Sequence, residues 1–186
     1  AARSLALLNA KTKEEAARLA GDLTALNQSR KALTEKGKEE AIRIIETTER
    51  KNDRVLVVYL PDCHESLAGI IAGRIREKYH RPAFVLTGGE TSAKGSGRSI
   101  ESYSMYEELV KCADLMIQFG GHPMAAGLSI EEKNIEEFRR RLNVNCTLTD
   151  EELRPKIVID VPMPVSYITK ELVEQISLLE PFGKGN

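Results

Sequence analysis

Apolar residues return along the first fifty positions at steps of three, four or seven: Ala16, Leu19, Leu23, Leu26 and Leu33, with Ala41 and Ile44 continuing the stripe. That period puts them on one face of an α-helix. Thr12 and Glu15 stand at the spacing of a capping box, so the helix is predicted to begin near residue 13. Gly37 is the weak point where it is expected to bend or break, and Lys51 marks its end. This helical arm, residues 1–52, either packs on its own domain or bridges to a neighbouring one. A helix so long owes its stability to tertiary packing in either case.

After the turn signal Asn52-Asp53 the pattern changes. Val55 to Leu60 is an unbroken β-rich run, as in strands buried on both faces. Ser66 to Tyr79 carries Leu67, Ile70, Ile71 and Ile75 at helical spacing, and Pro82 to Thr87 reads as a second buried strand. The three make a β-α-β unit with a right-handed crossover. A glycine-rich loop at Gly88-Gly89 leads into Ser92 to Ile100. Ser104 opens a helix with Met105, Leu109 and Cys112 inward, Met124 to Ile130 is a strand, and Ile135 to Leu142 is a further helix. The expected fold class is α/β, a mixed sheet flanked by helices, over residues 53–143. Residues 144–186 read as a polar linker, a short strand Lys156 to Val161 set off by Pro155 and Pro162, and an amphipathic helix Ile168 to Leu179.

Composition narrows the function classes. Hydrophobic residues at 41% and charged residues at 30% are ordinary for a globular chain, and no run approaches the roughly 18 apolar residues of a membrane span. Cys63, Cys112 and Cys146 are odd in number and far apart, which suits reduced thiols in the cytoplasm rather than a disulfide framework or a zinc site. The start resembles no secretory signal and reads as though cut from a longer polypeptide. With a net charge of −1, any nucleic-acid contact must come from a local cluster.

Three stretches offer such chemistry. Lys94-Gly95-Ser96-Gly97-Arg98-Ser99 sets two cations and two hydroxyls among glycines, with no acid between Thr91 and Ile100. Glycines let backbone N–H groups approach a phosphate, and Arg98 offers a planar fork for two of its oxygens. The same six residues also suit an ordinary β-turn. In Gly120-Gly121-His122-Pro123 the glycines allow a turn with positive φ that aims His122 from a loop into a cleft, although a lone histidine is often structural. Asp62-Cys63-His64-Glu65 follows the first strand, where ligands of open sheets bind; His64 and Glu65 suit an acid/base pair or an incomplete metal site, and equally a helix cap. His80 reads as a surface residue. Six scattered aspartates and three separated histidines form no recognisable metal cage, and no triad order, P-loop or H-E-x-x-H occurs.

Lys94 to Ile100 (KGSGRSI) and Phe119 to Ile130 (FGGHPMAAGLSI) resemble the two signature stretches of the DHH-associated domain of the DHH phosphoesterase superfamily, in the form found in the RecJ family of bacterial single-strand-specific DNA exonucleases. The resemblance extends through the arm, with Leu26-Asn27 and Arg30, through His64 to Leu86, and to the closing LEPFGKGN, which is similar to the segment leading into an oligonucleotide-binding barrel. It implies a single-stranded-DNA-binding part of a 5′ to 3′ exonuclease of repair and recombination, inactive alone. Mn2+ or Mg2+ would be held by an amino-terminal DHH domain outside this chain. It further implies that Arg98, Ser99 and His122 hold a phosphate of the strand, that Gly121 supplies backbone access, and that His64 faces the same cleft. RecJ sequences commonly carry Trp-His-Glu-Gly where this chain has Cys63-His64-Glu65-Ser66, so no stacking tryptophan is expected here. Two alternatives remain open at this point: a superfamily phosphodiesterase for very short oligonucleotides or cyclic dinucleotides, and a non-enzymatic RNA-binding module.

Overall fold

A computed structural model describes residues 2–157, 159 and 161–183, divided into one unit up to Arg154 and a second from Pro155. In the first, a short helix α1 (Ala2–Leu8) precedes α2 (Lys13–Thr47), which starts where the capping box places it. The Glu15 N–H donates to Thr12 Oγ1 at 3.1 Å, and the Glu15 carboxylate accepts from the Lys11 N–H at 3.0 Å. The helix does not break at Gly37. That residue is instead buried where α2 meets the helix after the first strand, and a Cβ there would lie 2.6 Å from Ile71 Cδ1. The missing side chain lets two helices approach, and packing outweighs the intrinsic cost of glycine. Ala41 and Ile45 extend this buried stripe, whereas Leu26 and Leu33 remain exposed.

Strand β1 (Leu56–Leu60), helix α3 (Glu65–Tyr79) and strand β2 (Ala83–Thr87) form the expected β-α-β unit, with β1 and β2 parallel neighbours. Next come β3 (Ala93–Arg98), α4 (Met105–Val110), β4 (Met116–His122), β5 (Ala125–Ile130) and α5 (Ile135–Val144). All pairings after the first are antiparallel, giving one mixed five-stranded sheet in the order β1-β2-β3-β5-β4.

Alternation along the strands divides the core in two. Leu56, Val58, Ala83 and Val85 pack on one face under α2 and α3. On the other face Val57, Phe84, Leu86, Leu128 and Ile130 meet Met105, Leu109, Phe138 and Leu142 of α4 and α5. Phe84 and Phe138 meet edge to face at 5.4 Å. Polar ties fix the ends of the elements. Arg139 of α5 holds Asp53 through Nε at 2.5 Å and Nη2 at 2.9 Å, and the Asn143 side chain pairs with both backbone groups of Val55.

Two glycine-rich stretches take forms that differ from expectation. Lys94 to Arg98 is neither loop nor turn but the central strand, and Gly120-Gly121-His122 ends edge strand β4, with the turn made by Pro123-Met124. The reason lies beneath them. A Cβ on Gly97 would stand 2.4 Å from Met105 Sδ and 2.6 Å from the Phe84 ring, and one on Gly95 would be 3.1 Å from Leu128 and Leu86. These glycines admit large core side chains against a strand whose sequence has little β-propensity.

Asn143 to Arg154, expected as a linker, is docked on the first unit: Leu148 is buried, and Arg54 donates to its carbonyl and pairs with Asp150 at 2.7 Å. In the second unit a helix, α6 (Lys170–Ser177), stands where the amphipathic pattern placed one. Val158 and Asp160 of the expected strand, and the final Lys184 to Asn186, lie outside the described residues; Lys156, Ile157, Ile159 and Val161 are not in a strand. Among the described residues no helix is long and apolar enough to cross a membrane.

Candidate nucleic-acid interface

Helix α2 packs over β1 and helix α3 over β2 and the near side of β3, while β5 and β4 continue the sheet beyond them. On that side of the sheet the strand register aligns three rows across β3, β5 and β4: Arg98, Ala125 and His122; Ser96, Gly127 and Gly120; Lys94, Ser129 and Gln118. The rows lie about 6.6 Å apart along the strands, and Arg98 and His122 stand two strand spacings, about 10 Å, apart. Glu65 and Ser66 at the start of α3 form the wall. Together with Lys94, Gln118, Gly120, Gly127 and Ser129 they line an open groove of about 520 Å3.

In the middle row Gly127 and Gly120 are bare backbone. A Cβ on Gly120 would meet nothing within 4 Å, and one on Gly127 would meet only the Gly95 carbonyl at 3.8 Å. At one end Arg98 Nη1 donates to Ser96 Oγ at 3.1 Å and to the Gly97 carbonyl at 2.7 Å. Both partners are neutral. Arg98 makes no ion pair among the described residues, whereas Arg43, Arg50, Arg54, Arg74, Arg139, Arg140 and Arg141 all do. Gly69 of α3 makes room for this guanidinium: a Cβ there would fall 2.8 Å from Arg98 Nη2 and 3.0 Å from Ser96 Oγ.

His122 is exposed, and its Nδ1 accepts from the Met124 N–H at 3.3 Å. In that arrangement the proton of the neutral ring sits on Nε2, a donor for an anion on the open face. At the other end Lys94 Nζ meets Glu65 Oε2 at 2.7 Å, both side chains about half exposed. The ammonium holds the Glu65 carboxyl below the usual carboxylate range, and Glu65 in turn raises Lys94.

Other residues singled out from the sequence stand apart from this face. Ser99 points to the opposite side of the sheet, is 1% exposed, and donates through Oγ to the Tyr103 carbonyl at 2.5 Å. Gly121 also faces away; its φ of 151° and a clash of any Cβ with the Ala125 carbonyl at 2.4 Å make it a hairpin requirement. His64 caps α3, accepting from the Ser66 N–H at 3.2 Å, and lines a separate hollow beneath α2 with Cys63, Gly37 and Leu67. Its neighbour Glu65 reaches the groove instead.

Backbone approach of a phosphate to Gly95 and Gly97 is not available either, because β3 is paired on both sides along its length. Gly127 closes the glycine-rich run that the sequence singles out from Gln118 onward, whereas Gly69 and Ser129 were not legible as residues of this face; the small residues facing the sheet from α3 and β5 were the signal. Among the described residues no three His, Cys, Asp or Glu side chains converge as a metal cage.

The family model named DHHA1 domain matches residues 52–147, from just before β1 to just after α5. The chain belongs to the DHHA1 domain family. The single-stranded-DNA-specific exonuclease RecJ of Bacillus subtilis is 35% identical over 184 residues, 97% of this chain and 23% of that protein. RecJ of Dickeya dadantii is 43% identical over 91% of this chain and 31% of its own length. The crystal structure of Thermus thermophilus RecJ in complex with Mg2+ matches with a TM-score of 0.80 at 29% identity, over 99% of this chain and 28% of that one. A RecJ structure bound to manganese matches over 76% of this chain with a TM-score of 0.66 and 31% identity. This DHHA1 domain is therefore of the RecJ type, and the chain spans between about a quarter and a third of the length of the curated relatives.

Proposed function

We propose that the open face of β3, β5 and β4 holds the phosphate backbone of single-stranded DNA, as the substrate-gripping part of a RecJ-type exonuclease acting in repair and recombination in the cytoplasm. The observation that carries this is Arg98: a half-buried guanidinium, left without a carboxylate among the described residues, at the head of a glycine floor. Such a fork suits two oxygens of one phosphate. His122 adds a donor from the same row, Ser96 orients the guanidinium, and the bare backbone of Gly120 and Gly127 leaves room for a sugar and base.

On this reading hydrolysis belongs to another part of the polypeptide. The matched RecJ structures are complexes with Mg2+ or manganese. Metal ions would supply an activated water and charge neutralisation at the scissile phosphate. Here the acidic and imidazole groups are dispersed, Glu65 is paired with Lys94, and His64 is engaged in a helix cap. The side chains of this face bind and orient the strand. Ser99 contributes indirectly, by anchoring the end of β3 so that Arg98 is held on the open side.

Fluorescence anisotropy with a labelled oligothymidylate tests the reading. Arg98→Ala is expected to weaken binding by about 1 to 3 kcal/mol, roughly 5- to 150-fold in Kd, as the loss of a charge-assisted contact does. Unchanged affinity would remove Arg98 from the site. The same chain with Mn2+ added is expected to leave the oligonucleotide uncut, and cleavage that disappears with His64→Ala would overturn the division of labour.

A further inference from the structure

The open face of β3, β5 and β4 is electrostatically lopsided. Arg98 at one end has only neutral partners, while Lys94, four residues earlier on the same face of β3, is bridged by Glu65 from the wall. An ion pair this exposed adds little to stability, so holding the fold together is a weak account of it. Its place is more informative. Lys94, Ser96 and Arg98 repeat every two residues along a strand, about 6.6 Å, which is close to the stretched sugar–phosphate repeat of a single strand. A strand laid along β3 from Arg98 would bring a second phosphate to the Ser96 row and a third to Lys94, where the Glu65 carboxylate already presents the oxygen acceptors a phosphate would offer.

We propose that Glu65 is a built-in competitor for the DNA strand at Lys94, a specificity-determining residue that limits how many phosphates this face holds. The inference rests on the proposed binding of a strand along the face. With Glu65 in place, the Lys94 ammonium is already paired, Glu90 adds a second negative charge within its electrostatic reach, and the Gln118 amide and Ser129 hydroxyl beside it are groups suited to an uncharged sugar or base edge. A strand gains Lys94 only by displacing Glu65. Short oligonucleotides are therefore held mainly at the Arg98 end, and the pair restrains non-specific binding to polyanions.

The test is a salt titration of oligothymidylate binding to the full chain and to Glu65→Gln, Lys94→Gln and the double variant. Glu65→Gln is expected to bind several-fold tighter, with the slope of log K against log salt steeper by about 0.7, the value for one more phosphate contact on a single strand. Lys94→Gln alone is expected to change the slope little, and adding it to Glu65→Gln is expected to abolish the gain. The inference is overturned if Glu65→Gln leaves affinity and slope unchanged or weakens binding, or if Lys94→Gln alone lowers the slope as much as Arg98→Ala. It is also overturned if both single variants lower the melting temperature equally with no gain in affinity, which makes the pair a staple. Arg98→Ala in parallel separates the two readings: if it weakens binding while Glu65→Gln is silent, only this inference fails. If Arg98→Ala is silent as well, strand binding on this face fails.

Discussion

Two glycines in neighbouring strands show how the same residue type answers different demands. Gly97 faces the core, where a Cβ would collide with Met105 and Phe84, whereas Gly120 faces open space. Gly97→Ala is expected to destabilise by about 1 to 3 kcal/mol through overpacking, while Gly120→Ala is expected to leave stability within about 0.5 kcal/mol. Chemical denaturation of both variants checks this, and equal effects would contradict it. The sequence singles out Arg98 as a cation among glycines with no acid nearby, and in the structure its guanidinium has only neutral partners among the described residues. Ser99 was not separable from it, since adjacent strand residues point to opposite faces and nothing in six letters identifies the strand. His64 and Glu65 were likewise adjacent letters. The start of α3 sends one to the hollow beneath α2 and the other to the groove.

At the scale of elements, patterns that bury apolar residues were readable and those that bury glycine were not. The capping box at Thr12, the buried runs of β1 and β2, and the periodicity of α3 and α5 all appear where hydrophobic spacing puts them. Strands β3 and β4 were hidden, because their partners rather than their own propensities make them strands. Gly37 misled for the same reason: its role depends on Ile71, a residue of another helix. Helix α2 is thus docked through its carboxyl-terminal part and exposed earlier. Ile45→Ala, at a fully buried position, is expected to cost about 2 to 5 kcal/mol. Leu26→Ala, at a position 47% exposed, is expected to cost less than about 0.5 kcal/mol in this chain. Similar losses in the two melting curves would contradict the description of the arm.

For the whole molecule, tyrosines tie separate elements together and govern its behaviour in base. Burial, with Glu132 beside it, pushes the Tyr59 hydroxyl up to about 12. Burial also raises Tyr79, whose hydroxyl donates to Glu46 of α2 at 2.6 Å, and Tyr103, whose buried hydroxyl has no hydrogen-bond partner among the described residues. A tyrosine freed by unfolding ionises near pH 10, by a rough reference value. Because the folded values lie higher, the stability these groups contribute is complete below about pH 10 and is lost as pH rises through the folded values, about 12 for Tyr59. The melting temperature is expected to fall across that interval. Tyr103→Phe is expected to make the fall shallower without lowering stability at neutral pH, since it removes an unsatisfied group. A profile identical to that of the unaltered chain would contradict the assignment.

The net charge of −1 means that strand binding must be local, and locality is what one measurement reads most directly. Backbone amide shifts of the isotopically labelled chain, followed as oligothymidylate is added, are expected to move along one face: Ser96, Arg98, Gly120, His122 and Gly127. The amides of α5 and of the hollow around Cys63 and His64 are expected to stay unmoved. Shifts confined to that hollow or to α5, with the Arg98 and His122 row silent, would contradict the account that this face of the sheet grips the strand.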